Sequence, residues 1–377
     1  MRILIAPNAF KNSLPAKAVA DAILDGLNQS RLSFTGECFP IGDGGDGTGD
    51  LIIDRLKGKR VLCSVQDPLG RTIAASFGMV DNGRTAVIEM AEASGLRLLK
   101  TEELSPLKAT SYGTGEMLLH ALDHGARKII LCVGGSATTD GGAGILRALG
   151  MRFADSSGLE LTEMPECLSH LQQLDLSGLD KRVLNCEIKI IVLCDVDNTL
   201  LGPRGAAAVF APQKGADSAA VEKLEAALQR FTAVAQQQTG KRMDQIKHGG
   251  AAGGTAAGLN VFLNAQLVNG IDHFLHLTDF EKALQNTDLV ITGEGSIDEQ
   301  TLDGKGPYGV ACKAKEKSIP VIGLAGKIPL TPGEELKKYF DVLMAIGNEP
   351  ADLSRALAAT KANLTRTARE MGDLLSI

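Results

Sequence analysis

The sequence contains no tryptophan, only three tyrosines among 377 residues, and no run of adjacent basic residues longer than a pair. Its formal net charge of -6 provides no positive field for a phosphodiester backbone, and few aromatic rings are available to stack on bases or sugars. We therefore expect no nucleic-acid partner. Recognition must depend mainly on backbone amides and charged side chains.

Long apolar segments and paired cysteines are also missing. No apolar run approaches the ~20 residues that a membrane helix needs, and MRILIAPNAF leads into a predicted strand without the features of a signal peptide. The seven cysteines are odd in number and form no CxxC pair. These absences predict a cytoplasmic protein, without membrane contact, whose cysteines are reduced core residues.

Two common nucleotide-binding signatures are absent or weak. Each Gly-Lys pair is followed by Arg, Gly or Ile, so the GxxxxGK[ST] P-loop is missing. Gly42, Gly44 and Gly47 satisfy GxGxxG. However, Asp43 and Asp46 lie inside this turn, where they would repel a pyrophosphate. A dehydrogenase that binds a dinucleotide is therefore not favoured.

The most informative stretch is KIILCVGGSATTDGGAGILRALG at residues 128–150. The apolar run from Ile129 to Val133 predicts a buried strand, which Gly134 and Gly135 end. Helical periodicity follows the loop, so we expect unpaired backbone amides at a helix N-terminus, where an anion such as phosphate would bind. A Gly-rich turn that serves packing alone is the alternative.

The organisation of the chain follows from its changing periodicity. Strands and helices alternate at both ends, whereas the middle has a hairpin signal, Asp81-Asn82-Gly83 between two β-rich runs. We predict an α/β protein in which one parallel-sheet domain is interrupted by a second. The predicted discontinuous domain comprises residues 1–60 and 284–377, and the inserted domain comprises residues 61–283.

Local signals predict several helix boundaries. Ser13 stands where a helix N-cap is expected, and two capping boxes are predicted, Thr278 with Glu281 and Thr331 with Glu334. Apolar periodicity predicts a helix around Val19 to Asn28, one from about Thr114 to His124, one from Val221 to Gly240, and a last helix carrying Leu353, Leu357, Leu364 and Met371.

Two acidic side chains follow the apolar run Ile188 to Leu193. The pattern Asp195-x-Asp197-x-Thr199 imitates the first motif of haloacid dehalogenase-like phosphatases, in which the leading Asp attacks phosphorus. The same carboxylates at a strand end also suit metal binding or proton abstraction. A solvated turn is the third interpretation.

Other charged residues follow strands of the predicted parallel sheet. Glu294 and Asp298 come after the strand LVIT, with Lys305 further on, and Lys11 and Ser13 follow the first strand. Ligands bind at the carboxyl ends of the strands in open α/β sheets. Carboxylates for Mg²⁺ and for a base, basic side chains and a phosphate-binding loop are the parts that phosphoryl transfer needs. A small-molecule kinase without a P-loop fits them.

The ordered motifs resemble those of the bacterial type I glycerate kinase family. They are APNAFKNSLPA, IGDGGDGT, DPLGR, SYGTGE, GGSATTDGGAG, CDVDNTLLGPRGAAAVFAPQKGA, GAAGGTAAGL and DLVITGEGSIDEQTLDGKGPYGVA, and they cover the chain from end to end. The resemblance implies a kinase that uses ATP and Mg²⁺ to phosphorylate D-glycerate, usually on its 2-hydroxyl. It also implies a flavodoxin/Rossmann-like parallel-sheet domain interrupted by an α/β domain with a mixed sheet, and an active site in the cleft between them.

The chain departs from the family pattern at a few positions. Asn8 stands where an acid is common, Asp46 replaces the usual Glu, Thr199 a usual Pro, and Ser296 the Arg of GEGRID. These departures leave the GGSAT loop, Asp195 and Lys214 unchanged.

The site hypotheses combine the motifs and the resemblance. We expect ATP to be bound by Gly134, Gly135, Ser136, Ala137, Thr138 and Lys214. We expect the catalytic residues to be Asp195 and Lys11, the Mg²⁺ ligands to be Asp195 and Asp197, and the substrate-binding residues to be Ser13, Asp43, Arg71, Glu294 and Asp298. A phosphatase with Asp195 as nucleophile is the second hypothesis, and a binding protein without catalysis is the third. A homodimer is also possible.

Overall fold

The structure, a computed structural model, describes residues 1–377 except for the side chain of Asp303. The chain divides into two compact units, one formed by Met1–Asp43 with Ile271–Ile377 and the other by Gly44–Gly270. The boundaries inferred from the sequence, after residues 60 and 283, stay a prediction. Among the helices of the described residues, none has both the length and the hydropathy of a membrane span.

The secondary structure of the described residues alternates strands with helices over most of the chain. The strands are β1 (Arg2–Ile5), β2 (Thr35–Cys38), β3 (Lys59–Gln66), β4 (Thr72–Val80), β5 (Thr85–Glu89), β6 (Lys128–Cys132), β7 (Arg152–Ala154), β8 (Gln173–Asp175), β9 (Lys189–Cys194), β10 (Gln266–Asn269), β11 (Leu289–Ser296), β12 (Val321–Lys327) and β13 (Val342–Ala345). The helices are α1 (Ala16–Asn28), α2 (Thr48–Arg55), α3 (Ala91–Ser94), α4 (Tyr112–Asp123), α5 (Ala143–Ala148), α6 (Lys181–Leu184), α7 (Ala206–Phe210), α8 (Ser218–Thr239), α9 (Thr255–Leu263), α10 (Gly270–Leu277), α11 (Phe280–Ala283), α12 (Gly306–Lys315), α13 (Glu334–Tyr339), α14 (Leu353–Ala358) and α15 (Thr360–Leu375).

The first unit is built on a five-stranded sheet whose order is β13-β12-β11-β1-β2. All four pairings are parallel. Renumbered along the unit, this is the doubly wound order 2-1-3-4-5 of flavodoxin, with a switch point between β1 and β11. The predicted flavodoxin-like fold class is therefore confirmed, and the switch point is where such sheets bind ligands.

Apolar side chains on β1 and on two helices explain why this unit holds together. Ile3 and Ile5 of β1, Ile23 of α1 and Leu364 and Met371 of α15 belong to one buried cluster. Burial of each such side chain contributes about 1.5–3 kcal/mol relative to exposure. The apolar positions that the sequence spaces at 3.6 residues in α1 and α15 therefore form the core beside the sheet.

The second unit is built on a six-stranded mixed sheet of order β10-β9-β6-β5-β4-β3. The pairings from β10 to β5 are parallel, and those of β5 with β4 and β4 with β3 are antiparallel. The predicted hairpin is confirmed, because β4 and β5 pair on either side of a turn in which Asp81 and Asn82 have φ of 52° and 53°. The predicted mixed sheet is confirmed as well.

The parallel part of this sheet aligns the ends of three strands. Glu89 of β5 is the register partner of Cys132 of β6, which in turn pairs with Leu193 of β9. Neighbouring strands lie about 4.8 Å apart. The residues that follow these ends, Gly134 and Asp195, therefore emerge at one edge of one sheet.

Helices with strong apolar periodicity lie where the sequence predicts them, as α1, α4 and α8 show. The long helix α8 is capped by the Asp217 side chain, which accepts the Ala220 N–H at 2.8 Å, and ends at Gly240 in the left-handed conformation. The single last helix that we predicted is instead two helices, α14 and α15, separated at Ala359.

Both predicted capping boxes are wrong. The Thr278 hydroxyl donates to the Phe274 carbonyl at 2.6 Å, where it satisfies the end of α10, and α11 begins after Asp279. Gly333, not Thr331, occupies the N-cap of α13 and makes no side-chain cap bond. A Ser or Thr three residues before Glu satisfies either the preceding helix end or the following helix start, and tertiary structure decides between them.

Candidate functional site

The glycine-rich loop between β6 and α5 is mostly buried. Gly134 is half-buried and Gly135 is exposed, whereas the next three residues are covered: Ser136 is 6% exposed, Ala137 1% and Thr138 0%. We name residues 134–138 the nucleotide loop. Its glycine end is thus the part that a phosphate can reach from solvent.

The main chain of this loop is already partly hydrogen-bonded. The Gly134 N–H donates to the Gly44 carbonyl at 3.0 Å, and the Ala137 N–H donates to the Ser94 carbonyl at 2.8 Å. Two of the five amides that the sequence predicts for phosphate therefore hold the loop in place. Such pre-organised backbone is what an anion site requires before its ligand arrives.

The helix N-terminus after the loop does not provide the unpaired amides that we expected. The Asp140 carboxylate, fully buried, accepts the N–H groups of Gly142 at 3.0 Å and Gly144 at 3.2 Å. It also accepts the amide and the hydroxyl of Ser111, at 2.8 and 2.7 Å. This expectation is wrong because an acidic side chain of the chain itself occupies the position foreseen for phosphate.

Lys214 contacts the nucleotide loop from the protein interior. Its side chain is buried, with the residue 2% exposed, and Nζ donates to Ser136 Oγ at 3.2 Å and to the Thr138 carbonyl at 2.5 Å. Burial lowers the pKa of the ammonium to about 7, an effect that the nearby Asp140 charge opposes. The sequence-predicted lysine is therefore next to the loop, on its protein side.

The two acidic residues after β9 lie on the surface. Asp195 and Asp197 are exposed. Asp197 Oδ1 is 3.0 Å from His248 Nδ1 and 3.7 Å from Lys247 Nζ. The same His248 nitrogen is 2.8 Å from the Val196 carbonyl, and His248 has a φ of 65°. Asp197 thus has basic neighbours. Asp195 follows the end of β9, the strand beside β6.

The acidic residues suit a magnesium ion that arrives with a nucleotide. Within the described part of the chain, no three His, Cys, Asp or Glu side chains are grouped as a metal cage. Mg²⁺ in kinases is commonly held by one or two carboxylates together with substrate phosphates and water. Exposed oxygen ligands such as Asp195 and Asp197 fit that mode.

A glycine-rich segment, residues 249–258, packs against the nucleotide loop and against the Asp195–Thr199 turn. A Cβ on Gly253 would lie 2.1 Å from the Thr138 carbonyl oxygen, and one on Gly250 would lie 2.4 Å from the Thr199 carbonyl oxygen. Only residues without a side chain permit these approaches. The segment therefore fixes the nucleotide loop and the Asp195–Thr199 turn to one support.

The first unit places a second group of predicted residues at its switch point. Lys11 is exposed in the loop after β1, and its backbone nitrogen lies 3.8 Å from where a Cβ on Gly295 would be. Asp43 Oδ2 accepts the Asn8 side-chain amide at 2.8 Å and the Gly306 N–H, at the start of α12, at 3.4 Å. Asn8 therefore donates to Asp43 at a position where an acid would repel it.

Glu294 belongs to the same group. Its Oε1 accepts the Thr301 hydroxyl at 3.2 Å. Burial raises the pKa of this carboxyl to about 7, Lys305 opposes the increase, and Asp43 adds to it. A carboxyl with a pKa near neutrality can bind a hydroxyl either as acceptor or as donor.

Two further residues predicted to bind substrate have partners within the protein. The Ser13 hydroxyl donates to the Leu357 carbonyl at 2.7 Å. It does not cap α1, since the N-cap position is Pro15, so that prediction is wrong. Asp298 caps a short 3-10 turn by accepting the Gln300 N–H at 3.0 Å.

Arg71 is engaged in the turn between β3 and β4. Its Nε donates to Asp67 Oδ2 at 2.5 Å, and its Nη1 donates to Glu103 Oε1 at 2.6 Å. These carboxylates raise the pKa of the guanidinium. The position of Arg71 is therefore explained by the turn that it holds together.

Sequence reasoning missed two buried acidic residues that accept backbone N–H groups near the nucleotide loop. Asp140 precedes a Gly-Gly pair, a signal that an N-cap interpretation could have used. Glu89 ends a β-rich run and has no local signal, because its partner at Gly49 is 40 residues away.

Comparisons with known proteins agree along the entire chain. The sequence model of the glycerate kinase family matches residues 3–376. The chain is 44% identical to a glycerate kinase of Bacillus subtilis, strain 168, and 40% identical to glycerate 2-kinase of Escherichia coli K12; each comparison covers 100% of this chain and 98% of the relative. A crystal structure from Salmonella typhimurium LT2, of a protein provisionally named glycerate kinase 2, has a TM-score of 0.82 and 41% identity, covering 100% of this chain and 98% of that one.

These findings do not support the phosphatase hypothesis. A haloacid dehalogenase-like site needs an acidic pair after a strand later in the same sheet. The strand of this sheet that follows Asp195 in the described chain is β10, and the residues after it, Gly270, Ile271, Asp272 and His273, include one acidic residue and no acidic pair. The chain belongs to the glycerate kinase family and is a small-molecule kinase.

Proposed function

We propose that this protein transfers the γ-phosphoryl group of ATP to the 2-hydroxyl of D-glycerate, which yields 2-phosphoglycerate and ADP. The observation that carries the choice of hydroxyl is the 40% identity, over the whole chain, with the protein named glycerate 2-kinase in Escherichia coli. Membership in a kinase family supports ATP as the phosphoryl donor.

The aligned strand ends of the second unit support this chemistry. The nucleotide loop follows β6 and Asp195 follows β9, and these strands are parallel neighbours in register. The glycine end of the nucleotide loop and an exposed carboxylate therefore emerge side by side, which supports the proposal. Phosphoryl transfer depends on positioning and on charge stabilisation rather than on a covalent intermediate.

The residues of this edge have separate roles in the proposal. The glycine end of the nucleotide loop binds the ATP phosphates, and Lys214 keeps the loop in shape through Ser136 and Thr138. Asp195 accepts the proton of the 2-hydroxyl as that oxygen bonds to the γ-phosphorus and the bond to the ADP oxygen breaks. Asp195 and Asp197 would hold Mg²⁺, which would neutralise phosphate charge.

The first unit supplies further candidates for binding glycerate. Lys11 is an exposed cation suited to a carboxylate or to the transferred phosphoryl group. Glu294 and Asp43 are suited to hydrogen-bond the hydroxyl groups of glycerate. Ser13 and Asp298 of this unit, and Arg71 of the second unit, are weaker candidates because each already holds a neighbouring segment.

The experiment that tests the proposal is a product assay. Purified protein is incubated with ATP, Mg²⁺ and D-glycerate, ADP is measured, and the phosphorylated product is compared with authentic 2- and 3-phosphoglycerate by ³¹P NMR. Glycerate-dependent ADP with the 2-phosphoglycerate signal supports the proposal. The 3-phosphoglycerate signal would overturn the regiochemistry, and no glycerate-dependent ADP would overturn the substrate.

A further inference from the structure

A buried carboxylate without an assigned role lies beside the nucleotide loop. Glu89, the last residue of β5, is 8% exposed, and its Oε1 accepts the Gly49 N–H at 2.6 Å. The Gly47 N–H also hydrogen-bonds this carboxylate. Gly47 is the N-cap of α2, so the negative charge lies at the positive end of the helix.

The fit between Glu89 and α2 is close. A Cβ on Gly49 would lie 2.6 Å from Glu89 Cγ and 3.1 Å from its Oε1. The glycine at this position therefore lets the carboxylate approach the helix backbone. The contact holds the start of α2 and the turn that leads into it, residues 44–48, which we name the acidic turn.

The acidic turn packs directly on the nucleotide loop. The Gly44 carbonyl accepts the Gly134 N–H at 3.0 Å, and a Cβ on Gly134 would lie 2.4 Å from Gly45 Cα. A Cβ on Gly135, the exposed residue of the nucleotide loop, would lie 3.4 Å from Asp46 Cβ. The two main chains are thus in contact, and a shift of one must displace the other.

We propose that Glu89 is a positioning residue for nucleotide binding, which acts by holding the acidic turn against the glycine end of the nucleotide loop. This inference rests on the proposed function, since it takes the nucleotide loop as the ATP phosphate site. Glu89 itself contacts α2 and the acidic turn, so its effect on ATP passes through their main chain.

Burial and the neighbouring negative charges make the ionised carboxylate of Glu89 costly for the stability of the fold. Burial raises the pKa of Glu89 to about 7, and Asp50 and Asp46 add to the increase. Burial raises the pKa of the neighbouring Cys132 thiol, and the charge of Glu89 adds to this increase. Arg60 pairs with Asp50 at 2.5 Å. The folded state therefore binds more protons than the unfolded state between pH 4.5 and about 7, so ionised Glu89 lowers stability above that range.

The test alters each partner of the contact between Glu89 and Gly49. Glu89→Gln keeps the shape but has one acceptor oxygen and no charge, and Gly49→Ala pushes the carboxylate away while favouring the helix. ATP binding is measured by isothermal titration calorimetry without glycerate, and KM is measured for both substrates. We expect the Kd and the KM for ATP to rise about tenfold in each variant, while the KM for glycerate changes by less than about twofold.

Glu116→Gln is the matched control, because Glu116 Oε2 accepts the Gln66 N–H at the same distance, 2.6 Å, outside the nucleotide loop and the acidic turn. We expect it to leave ATP binding unchanged. Near pH 8 the melting temperature of Glu89→Gln should equal or exceed that of the unmodified protein, which a purely structural role does not predict.

Some outcomes would overturn the inference. One is an ATP Kd for Glu89→Gln within about twofold of the unmodified value. Another is a loss of ATP affinity that appears only with a lower melting temperature and a parallel rise in the glycerate KM. Because calorimetry needs no turnover, a protein that binds ATP but does not phosphorylate glycerate would refute the proposed function and still test Glu89. A protein that does not bind ATP would refute both.

Discussion

Two charged residues of the second unit differ from two of the first in their burial and in the groups that they contact. In the second unit Lys214 and Glu89 are buried, and each contacts main chain of a glycine-rich loop. In the first unit Lys11 is exposed, and the half-buried Glu294 meets the hydroxyl of Thr301 and the charge of Lys305. Lys214 and Glu89 thus hold backbone in the second unit, whereas Lys11 and Glu294 of the first unit keep part of their surface open to solvent.

This difference matters because a buried charge is costly unless it is well paired. The pKa values of Lys214 and Glu89 both move to about 7, from opposite directions, because burial disfavours the charged form of each. Such groups lower stability at some pH while they hold the backbone that a phosphate would contact. Substitutions at Asp195, Lys214, Glu294 and Arg71 test this contrast.

Asp195→Asn should have the largest effect on turnover. The amide cannot accept the proton of the glycerate hydroxyl, so we expect kcat to fall by about 10²- to 10⁴-fold. The fold should survive because Asp195 is exposed. Initial rates of ADP formation measure the effect. Asp81→Asn, an exposed residue of the hairpin turn, is the control, and near-normal turnover in Asp195→Asn would remove this residue from the mechanism.

Lys214→Met tests the buried support of the nucleotide loop. Loss of the bonds to Ser136 and Thr138 should raise the KM for ATP by about tenfold to a hundredfold. Because burial lowers the pKa of Lys214 from 10.5 to about 7, the unfolded state binds more protons within that range, and stability rises with pH there. In urea unfolding experiments, the free energy of unfolding of the variant should no longer rise with pH in this range.

Lys241→Met provides the matched control for Lys214→Met. Lys241 Nζ also donates to a carbonyl and to a side-chain oxygen, those of Val261 and Asn264, both at 2.8 Å, at a less buried position. We expect this control to keep the pH slope and the KM for ATP. Equal slopes in Lys214→Met and the unmodified protein would contradict the prediction.

Glu294→Gln tests the half-buried carboxyl of the first unit. Its pKa of about 7 exceeds the ordinary value of 4.5, so the folded state binds more protons in this range and stability falls as pH rises through it. The variant should lose this slope and be more stable near pH 8 by up to ~3 kcal/mol, at about 1.4 kcal/mol per pKa unit.

Urea unfolding at several pH values measures the effect of Glu294→Gln, with Glu316→Gln, an exposed carboxylate of the same unit, as the control. The KM for glycerate should rise at the same time, because the amide is a weaker partner for a hydroxyl. A more stable variant with an unchanged KM would limit Glu294 to a structural role.

Arg71→Gln should have the smallest effect. The guanidinium is held by Asp67 and Glu103 at the surface, so we expect the KM for glycerate to change by less than about threefold. Steady-state kinetics check this expectation. A rise of about tenfold or more would show that Arg71 contacts substrate despite its ion pairs.

Hydrophobic periodicity was a reliable guide to the elements and to their arrangement. The apolar runs that become β1, β6, β9 and β11 are buried strands, and the spaced apolar residues of α1 and α8 form helices. The hairpin at Asp81–Gly83 followed from its turn residues. These features depend on local sequence, and burial of the apolar face stabilises the strand or helix that carries it.

Hydrogen-bonding partners were harder to predict. Ser13 and Thr278 have the residue types of helix caps, but each donates to a backbone carbonyl instead. The Asp140 carboxylate accepts the N–H groups at the helix N-terminus where phosphate binding is predicted from the sequence. A polar side chain has several possible partners, and the nearest one in space is not evident from sequence.

The interrupted α/β architecture, the family and the loops that carry the candidate residues could all be read from the amino-acid sequence, because periodicity, turn residues and ordered motifs are local features. Which of those residues face solvent and which contact backbone depends on the folded arrangement. Lys214 meets Ser136 across 78 residues and Glu89 meets Gly49 across 40. Burial and pKa depend on such distant contacts, since segments that have no relation in sequence set the dielectric and the partners of each charge.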